Sequence, residues 1–153
     1  MKLLVISDSH GRHEALRKIL EKEKDCDMIV HLGDGARDMD AFLQYTIGKP
    51  LYIVRGNCDV DAVDIAPQHT LTAGDIRVLA CHGHLFRVEY GLERLYLQGL
   101  KENVWLCLFG HTHIQTAQRS GDMLLVNPGA AKDRRYAVVE IDGEKVIPVL
   151  KTL

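Results

Sequence analysis

The chain has 153 residues, enough for one domain with a sizeable buried core. Hydrophobic residues make up 46% and charged residues 26%, the ordinary balance of a soluble globular protein. A formal net charge of −2 argues against the basic stripe that a non-specific nucleic-acid binder needs, while a nucleotide substrate stays open because a bound cation can supply positive charge.

No apolar stretch approaches the ~18 residues of a membrane span, and Leu3-Leu4-Val5-Ile6 is too short for a signal-peptide core. The four cysteines, Cys26, Cys58, Cys81 and Cys107, form no C-x-x-C pair. Reduced thiols and a cytoplasmic location are therefore expected.

Residues 2–7 form an apolar, β-branched run that predicts a buried strand, and it ends at Asp8-Ser9-His10-Gly11. Ala15, Leu16, Ile19 and Leu20 then recur at helical spacing, with Arg17, Lys18, Glu21 and Lys22 on the other face and His13 towards solvent. Residues 28–32 predict a second strand, with His31 as a core histidine inside it, closed by Gly33-Asp34-Gly35. Met39, Phe42 and Leu43 predict a second helix capped by Asp38. Gly48-Lys49-Pro50 breaks it, and residues 51–54 form a third strand running into Arg55-Gly56-Asn57-Cys58-Asp59. Each of these strands delivers a carboxylate, imidazole or carboxamide into the loop beyond its end. Strands alternating with helices imply parallel pairing, and in such sheets ligands sit outside the carboxyl ends of the strands.

The second half is richer in strands. Residues 68–73 and 76–81 predict a hairpin across Gly74-Asp75, and its second strand ends at His82-Gly83-His84. Leu92, Leu95, Tyr96 and Leu100 mark the core face of a third helix. Residues 104–109 lead into Gly110-His111-Thr112-His113. If the chain stays extended past that glycine, His111 and His113 share a face with Cα atoms ~6.6 Å apart. That is wide for one metal and comfortable for one ligand to each of two metals ~3.5–4 Å apart. Residues 114–119 and 123–126, then 136–141 and 146–150 after Asn127-Pro128-Gly129, add two more strand pairs. The expected architecture is two sheets packed face to face with helices outside, in one domain spanning residues 1–153.

Asp8, His10, Asp34, Asn57, His82, His111 and His113 are all oxygen or nitrogen donors in Gly-flanked or turn-rich loops after apolar runs. Each motif alone is weak, and Asp8 or Asp34 alone would read as a helix cap. Five such motifs in the same topological place outweigh that reading. Cys58, Cys81, His82 and His84 lack the spacing of a zinc finger.

The order Asp8-x-His10, Gly33-Asp34, Gly56-Asn57, His82-Gly83-His84 and Gly110-His111-Thr112-His113 resembles the calcineurin-like metallophosphoesterases. Gly56-Asn57-Cys58-Asp59 and the short length are similar to the small prokaryotic phosphodiesterase branch, to which the phosphoesterase-like subunit of the retromer coat is related. The resemblance implies an α/β fold, a four-layer α/β/β/α sandwich of two mixed β-sheets flanked by helices. It implies two divalent metal ions, one held by Asp8, His10, Asp34 and His113 and the other by Asp34, Asn57, His82 and His111, with Asp34 as the bridge. It further implies in-line attack on phosphorus by a metal-bridging hydroxide, with Asp34, Asn57 and His82 acting through that hydroxide. Oxygen and imidazole donors point first to Mn²⁺, with Ni²⁺, Fe, Zn²⁺ and Mg²⁺ as alternatives.

One position departs from the wider family, where Gly-Asn-His is common and the histidine serves the phosphate or leaving group. Here it is Cys58, a thiol with an ordinary pKa of ~8.5. The expectation is a phosphodiesterase that turns over good leaving groups and scarcely touches alkyl monoesters. His84 is expected to order the loop holding His82 more than to face substrate. A phosphomonoesterase or protein phosphatase of the same fold and a non-catalytic scaffold are the alternatives. The expected partner is a small phosphorylated substrate, with no membrane and no strong sign of nucleic-acid binding, and a homo-oligomer stays open.

Overall fold

The computed structural model describes residues 1–153. Strand β1 (Lys2–Ile6) shows why both sides of its sheet are covered. Leu3 and Val5 point into one apolar cluster and Leu4 and Ile6 into another, all fully buried. Alternation puts successive side chains on opposite faces, so a continuous apolar run needs a layer on each side. β2 (Met28–His31) and β3 (Leu51–Ile53) run parallel to β1, while β9 (Arg135–Asp142) and β10 (Lys145–Thr152) add antiparallel strands on its other edge, giving the order β10-β9-β1-β2-β3. The second sheet has the order β4-β5-β6-β8-β7, from β4 (Gln68–Ala73), β5 (Ile76–Cys81), β6 (Leu106–Leu108), β7 (Thr116–Ser120) and β8 (Met123–Asn127). In it β5, β6 and β8 are parallel.

The two mixed sheets face each other across a cluster that includes Val5, Val30, Val78, Leu106 and Val126. Helix α1 (His13–Lys22) covers the outside of the first sheet with Leu16, Ile19 and Leu20. Helix α2 (Glu93–Glu102) covers the second with Leu95, beside Leu79, Cys107 and Leu125. This is the four-layer α/β/β/α sandwich expected from the sequence. No helix is long and apolar enough to cross a membrane.

Three local expectations fail. The segment after β2 is a 3-10 helix, Ala36–Thr46, kinked at Phe42 (φ −129°, ψ 20°). Its N-cap is Gly35 with no side-chain cap, because Asp38 accepts hydrogen bonds from Ser9 Oγ (2.6 Å) and the Gly11 N–H (2.8 Å) in the loop after β1. Leu43 is 52% exposed, as is Leu100 of α2, so neither belongs to the core. The chain past Gly110 is not extended: His111 and His113 have φ of 69° and 60°.

Beside the start of β1, the buried carboxylate of Glu23 accepts from the Tyr136 hydroxyl (2.9 Å) and Lys151 Nζ (2.8 Å) and pairs with Lys2 Nζ (2.8 Å). Burial alone would raise its pKa, but these three donors outweigh it and hold the group down to about 2. A depressed folded-state pKa gives stability that is complete above the unfolded value of 4.5 and lost as pH falls towards about 2. We expect the urea-unfolding free energy to drop by on the order of 2 kcal/mol across that window in excess of a Glu23→Gln variant. Parallel curves for the two proteins would show that Glu23 carries no such linkage.

Candidate metal centre

The parallel strands of both sheets end on the same side, and their loops interlock through backbone bonds. Asp8 N–H donates to Gly33 O (2.9 Å), His10 N–H to Asp34 O (3.0 Å) and Gly110 N–H to His82 O (2.9 Å). Close approach explains the glycines. A Cβ on Gly33 would fall 2.5 Å from Gly56 N, and one on Gly110 would fall 2.8 Å from Asp8 Oδ2. The non-glycine residues of these loops also adopt glycine-like backbones. Asp8, His10, Asp34, His111 and His113 all have φ between 44° and 69°, a left-handed conformation that costs an L-residue ~1–2 kcal/mol. Such strain gathers where the surroundings over-determine a geometry.

The acidic groups are held by identifiable partners. Asp8 is fully buried; Ser7 Oγ donates to its Oδ2 (2.5 Å), as does the His111 N–H (3.2 Å). Asp34 Oδ1 accepts the Cys58 N–H (2.8 Å), and Oδ2 faces His82. Burial opposes ionisation of Asp34, but His82 and the Cys58 amide more than offset it and keep the carboxyl well below the usual range. His82 Nδ1 lies 2.7 Å from Leu32 O, so it carries the proton and donates across from the second sheet to the first. Nε2 is then the nitrogen turned to the cluster, 3.0 Å from Asn57 Oδ1 and 3.4 Å from Asp34 Oδ2; in the chain alone a proton there joins His82 to Asp34, and a cation could take its place.

Two more imidazoles face carboxylate oxygens on the other side. His113 Nε2 is 3.0 Å from Asp8 Oδ1, and His10 Nε2 is 3.8 Å from Asp8 Oδ1 and from Asp34 Oδ2. Donor atoms of Asp8, His10 and His113 lie within 4.8 Å of one another, as do those of Asp8, Asp34 and His82 and those of His10, Asp34 and Cys58. Protons on the Nε2 atoms can join these pairs in the chain alone, and a divalent cation can replace them, so the donor set fits one. His111 stands further out, its ring 5.2 Å from that of His82 and its Nε2 3.6 Å from Glu89 Oε2. Asn57 and Cys58 sit at the exposed mouth.

His84 packs its ring 5.3 Å from His82 and makes no side-chain hydrogen bond; its Nδ1 is buried and unpartnered, and burial lowers its pKa. A loop-ordering role through hydrogen bonds therefore has no support, and its contact is with the imidazoles themselves. His31 is a satisfied core histidine: Nδ1 accepts the Gly33 N–H (3.2 Å), so Nε2 bears the proton and donates to Ser9 Oγ (3.1 Å), which in turn donates to Asp38. Burial lowers its pKa to about 4, which keeps the ring neutral.

Sequence reasoning missed the role of three residues, taking Asp38 for a helix cap and giving Asp59 and Asn127 none. Asp59 accepts four main-chain N–H groups, from Asp34 (2.7 Å), Gly35 (2.8 Å), Ala36 (3.0 Å) and Gly56 (2.8 Å), and so fixes the loop that carries Asp34. Burial would raise its pKa, but those four bonds lower it. Asp38 fixes the loop that carries His10, as described above. Fully buried Asn127 donates to Gly110 O (2.8 Å) and Thr112 Oγ1 (3.0 Å), shaping the turn that carries His111 and His113. The only available signal was a polar residue directly after an apolar run, as at Asn127.

A two-sheet α/β sandwich with carboxylates and imidazoles converging at its parallel strand ends defines a metal-dependent hydrolase scaffold. The comparisons with known proteins narrow it. Residues 1–144 match the calcineurin-like phosphoesterase superfamily domain, and the chain belongs to that superfamily. It is 31% identical over 151 residues to the probable metallophosphoesterase YsnB of Bacillus subtilis, covering 94% of this chain and 86% of that one. It is 30% identical over 152 residues to the phosphodiesterase YfcE of Escherichia coli K12, covering 85% and 79%. A crystal structure of a conserved protein from Streptococcus pneumoniae TIGR4, described as a predicted phosphoesterase, superposes with a TM-score of 0.83 at 28% identity over 99% of this chain and 88% of that one. Phosphoester hydrolysis is the chemistry of this lineage.

Proposed function

We propose that the chain is a phosphodiesterase that works with two divalent cations held by Asp8, His10, Asp34, Asn57, His82, His111 and His113. The observation that carries this reading is the confrontation of imidazole Nε2 atoms with carboxylate and carboxamide oxygens from five strand-end loops. Divalent cations bound there would supply positive charge to a phosphoryl group and make hydroxide available from water near neutral pH. The chain's own part is to hold donors in place. Asp34 is central, because its Oδ2 lies between the His10 and His82 imidazoles, 3.8 and 3.4 Å from their Nε2 atoms. Asp8 and Asp34 are the two anionic donors, so two dications would leave the pocket positive and attractive to an anionic ester. Oxygen and imidazole donors favour Mn²⁺ as the native ion. The substrate proposed is a small phosphorylated molecule, and a cytoplasmic location is in keeping with four unbridged cysteines.

The preference for diesters rests on Cys58. Its Sγ lies among the donors of His10 and Asp34, and the Asp34 carboxylate, with burial, pushes the thiol up to about 11. Such a thiol is a weak acid towards a leaving alkoxide, so esters with good leaving groups are favoured. Replacing Cys58 by histidine is expected to raise turnover of an alkyl phosphate at least about tenfold, in the range of general-acid contributions. An unchanged preference would remove Cys58 from the explanation.

The reading is tested by stripping the protein with a chelator, reloading it with Mn²⁺ and assaying p-nitrophenyl phosphate and bis(p-nitrophenyl) phosphate side by side. We expect no turnover without metal and diester turnover well above monoester turnover with it. No turnover with any divalent metal would overturn the enzymatic reading.

A further inference from the structure

Beside the donor cluster, uncompensated positive charge gathers at one place. A cavity of about 670 Å³ lies between the first turn of α1 and the 3-10 turn Ala131–Asp133, and its wall includes Arg12, Lys18, Lys132 and Arg134. Lys18 is paired with Glu14 at 2.7 Å, but Arg12, Lys132 and Arg134 have no carboxylate partner. Glu14 and Asp133 are the only acidic side chains of the wall, so four cations face two carboxylates in a chain whose formal net charge is −2. The main chain adds to this imbalance. Helix α1 has no capping side chain, and the N–H groups of Glu14 and Ala15 find no acceptor in the protein. Orphan amides at a helix start carry partial positive charge and favour anions.

The cavity adjoins the donor cluster. Gly11, which follows His10, is part of its wall, and the Lys132 N–H donates to Asp8 O at 3.2 Å. An anion seated there would lie one loop away from the carboxylates and imidazoles described above. The excess of about two positive charges matches a phosphate monoester, which carries ~1.5–2 negative charges near neutral pH. Two guanidinium groups suit its oxygens, since each can donate two parallel hydrogen bonds.

Resting on the phosphodiesterase reading, we propose that this cavity binds a second phosphate group carried by the substrate. The substrate class is then a diester that also carries a terminal phosphate, as in a nucleoside bisphosphate ester. Free inorganic phosphate offers the same chemistry, and the test separates the two sources.

Two arms are needed. In the first, chelator-treated protein is titrated with inorganic phosphate and pyrophosphate while amide resonances are followed. Binding that shifts the Glu14 and Ala15 amides, weakens with salt, and falls at least tenfold in an Arg12→Gln, Lys132→Gln, Arg134→Gln triple variant with unchanged thermal unfolding supports the site. No binding in the wild type overturns it. In the second, kcat/KM is compared for the p-nitrophenyl esters of a nucleoside 5′-phosphate and of the matching 3′,5′-bisphosphate. The wild type is expected to prefer the bisphosphate at least tenfold. The triple variant should lose that ratio, and a charge-keeping Lys132→Arg variant should retain it. Phosphate binding with no such ratio assigns the cavity to free phosphate and overturns the substrate role. Phosphate binding with no turnover of either ester instead overturns the phosphodiesterase reading.

Discussion

Replacing Asp34 by asparagine is expected to lower kcat/KM on a chromogenic diester by at least about 10³, a loss of ~4 kcal/mol of transition-state stabilisation. The carboxylate is all but buried, with a side-chain exposure of 4%, and both oxygens are committed. Oδ1 accepts the Cys58 amide, while Oδ2 lies 3.4 Å from His82 Nε2 and 3.8 Å from His10 Nε2. Asparagine keeps the shape but removes the charge. Its NH₂ must also face either the Cys58 N–H, where donor would meet donor, or the space between the two imidazoles, where an acceptor is needed. Steady-state kinetics with Mn²⁺ in excess, together with a thermal unfolding curve, check the prediction. Wild-type activity in a folded Asp34→Asn protein would rule out this cluster as the reaction centre.

The second large effect is expected at a residue that touches none of the donor nitrogens. Asp59 Oδ2 accepts from Asp34 and Gly56, and Oδ1 from Gly35 and Ala36. Asparagine can satisfy one of these pairs; its NH₂ then confronts the other pair with a donor. Hydrogen bonds to a charged acceptor contribute ~1.5–3 kcal/mol each, so losing two and orphaning their donors should cost on the order of 4 kcal/mol. For a chain of this size that is a fall in Tm of roughly 10 °C. Activity should fall about 10²-fold as well, because a displacement of Asp34 by ~1 Å misplaces both sides of the cluster. Calorimetry and kinetics on Asp59→Asn, with the exposed neighbour Asp61→Asn as control, make the comparison. A variant indistinguishable from that control would mean that Gly33-Asp34-Gly35 holds its shape without the clamp.

What was legible in the sequence, and what was not, follows from the range over which each signal acts. Strand β1 could be read from four residues, because a strand covered on both faces must be apolar without interruption. The hairpin of β4 and β5 was likewise marked on the spot by Gly74-Asp75. Each predicted donor followed such a strand, and the structure brings all seven to one end of the sandwich. Their supports were not legible. Asp59 acts on amides up to 25 residues away, and Asp38 on a loop 27 residues earlier. A lone aspartate carries no periodicity that would betray such a partner. The same reason explains the misjudged cap: Asp38 has the chemistry to cap a helix locally, but Ser9 and Gly11 claim it. The left-handed turn at His111 and His113 escaped too, because the bonds around it come from other strand ends: Asn127 to Gly110 O and Thr112 Oγ1, and the His111 N–H to Asp8.

The His82 bond to Leu32 O and the His113 contact with Asp8 have a consequence for how the chain reaches its final form. Asp8, His10, Asp34 and Asn57 come from the first sheet, and His82, His111 and His113 from the second; Asp8 and His113 are separated by 105 positions. Neither sheet alone assembles a complete set of donors. Closing loops of that length is slow and entropically costly, so the cluster should be among the last parts to form, after the apolar faces have docked. A cation that prefers the finished cluster would bind the folded chain in preference to half-assembled states, and so would bias the population towards the docked sandwich.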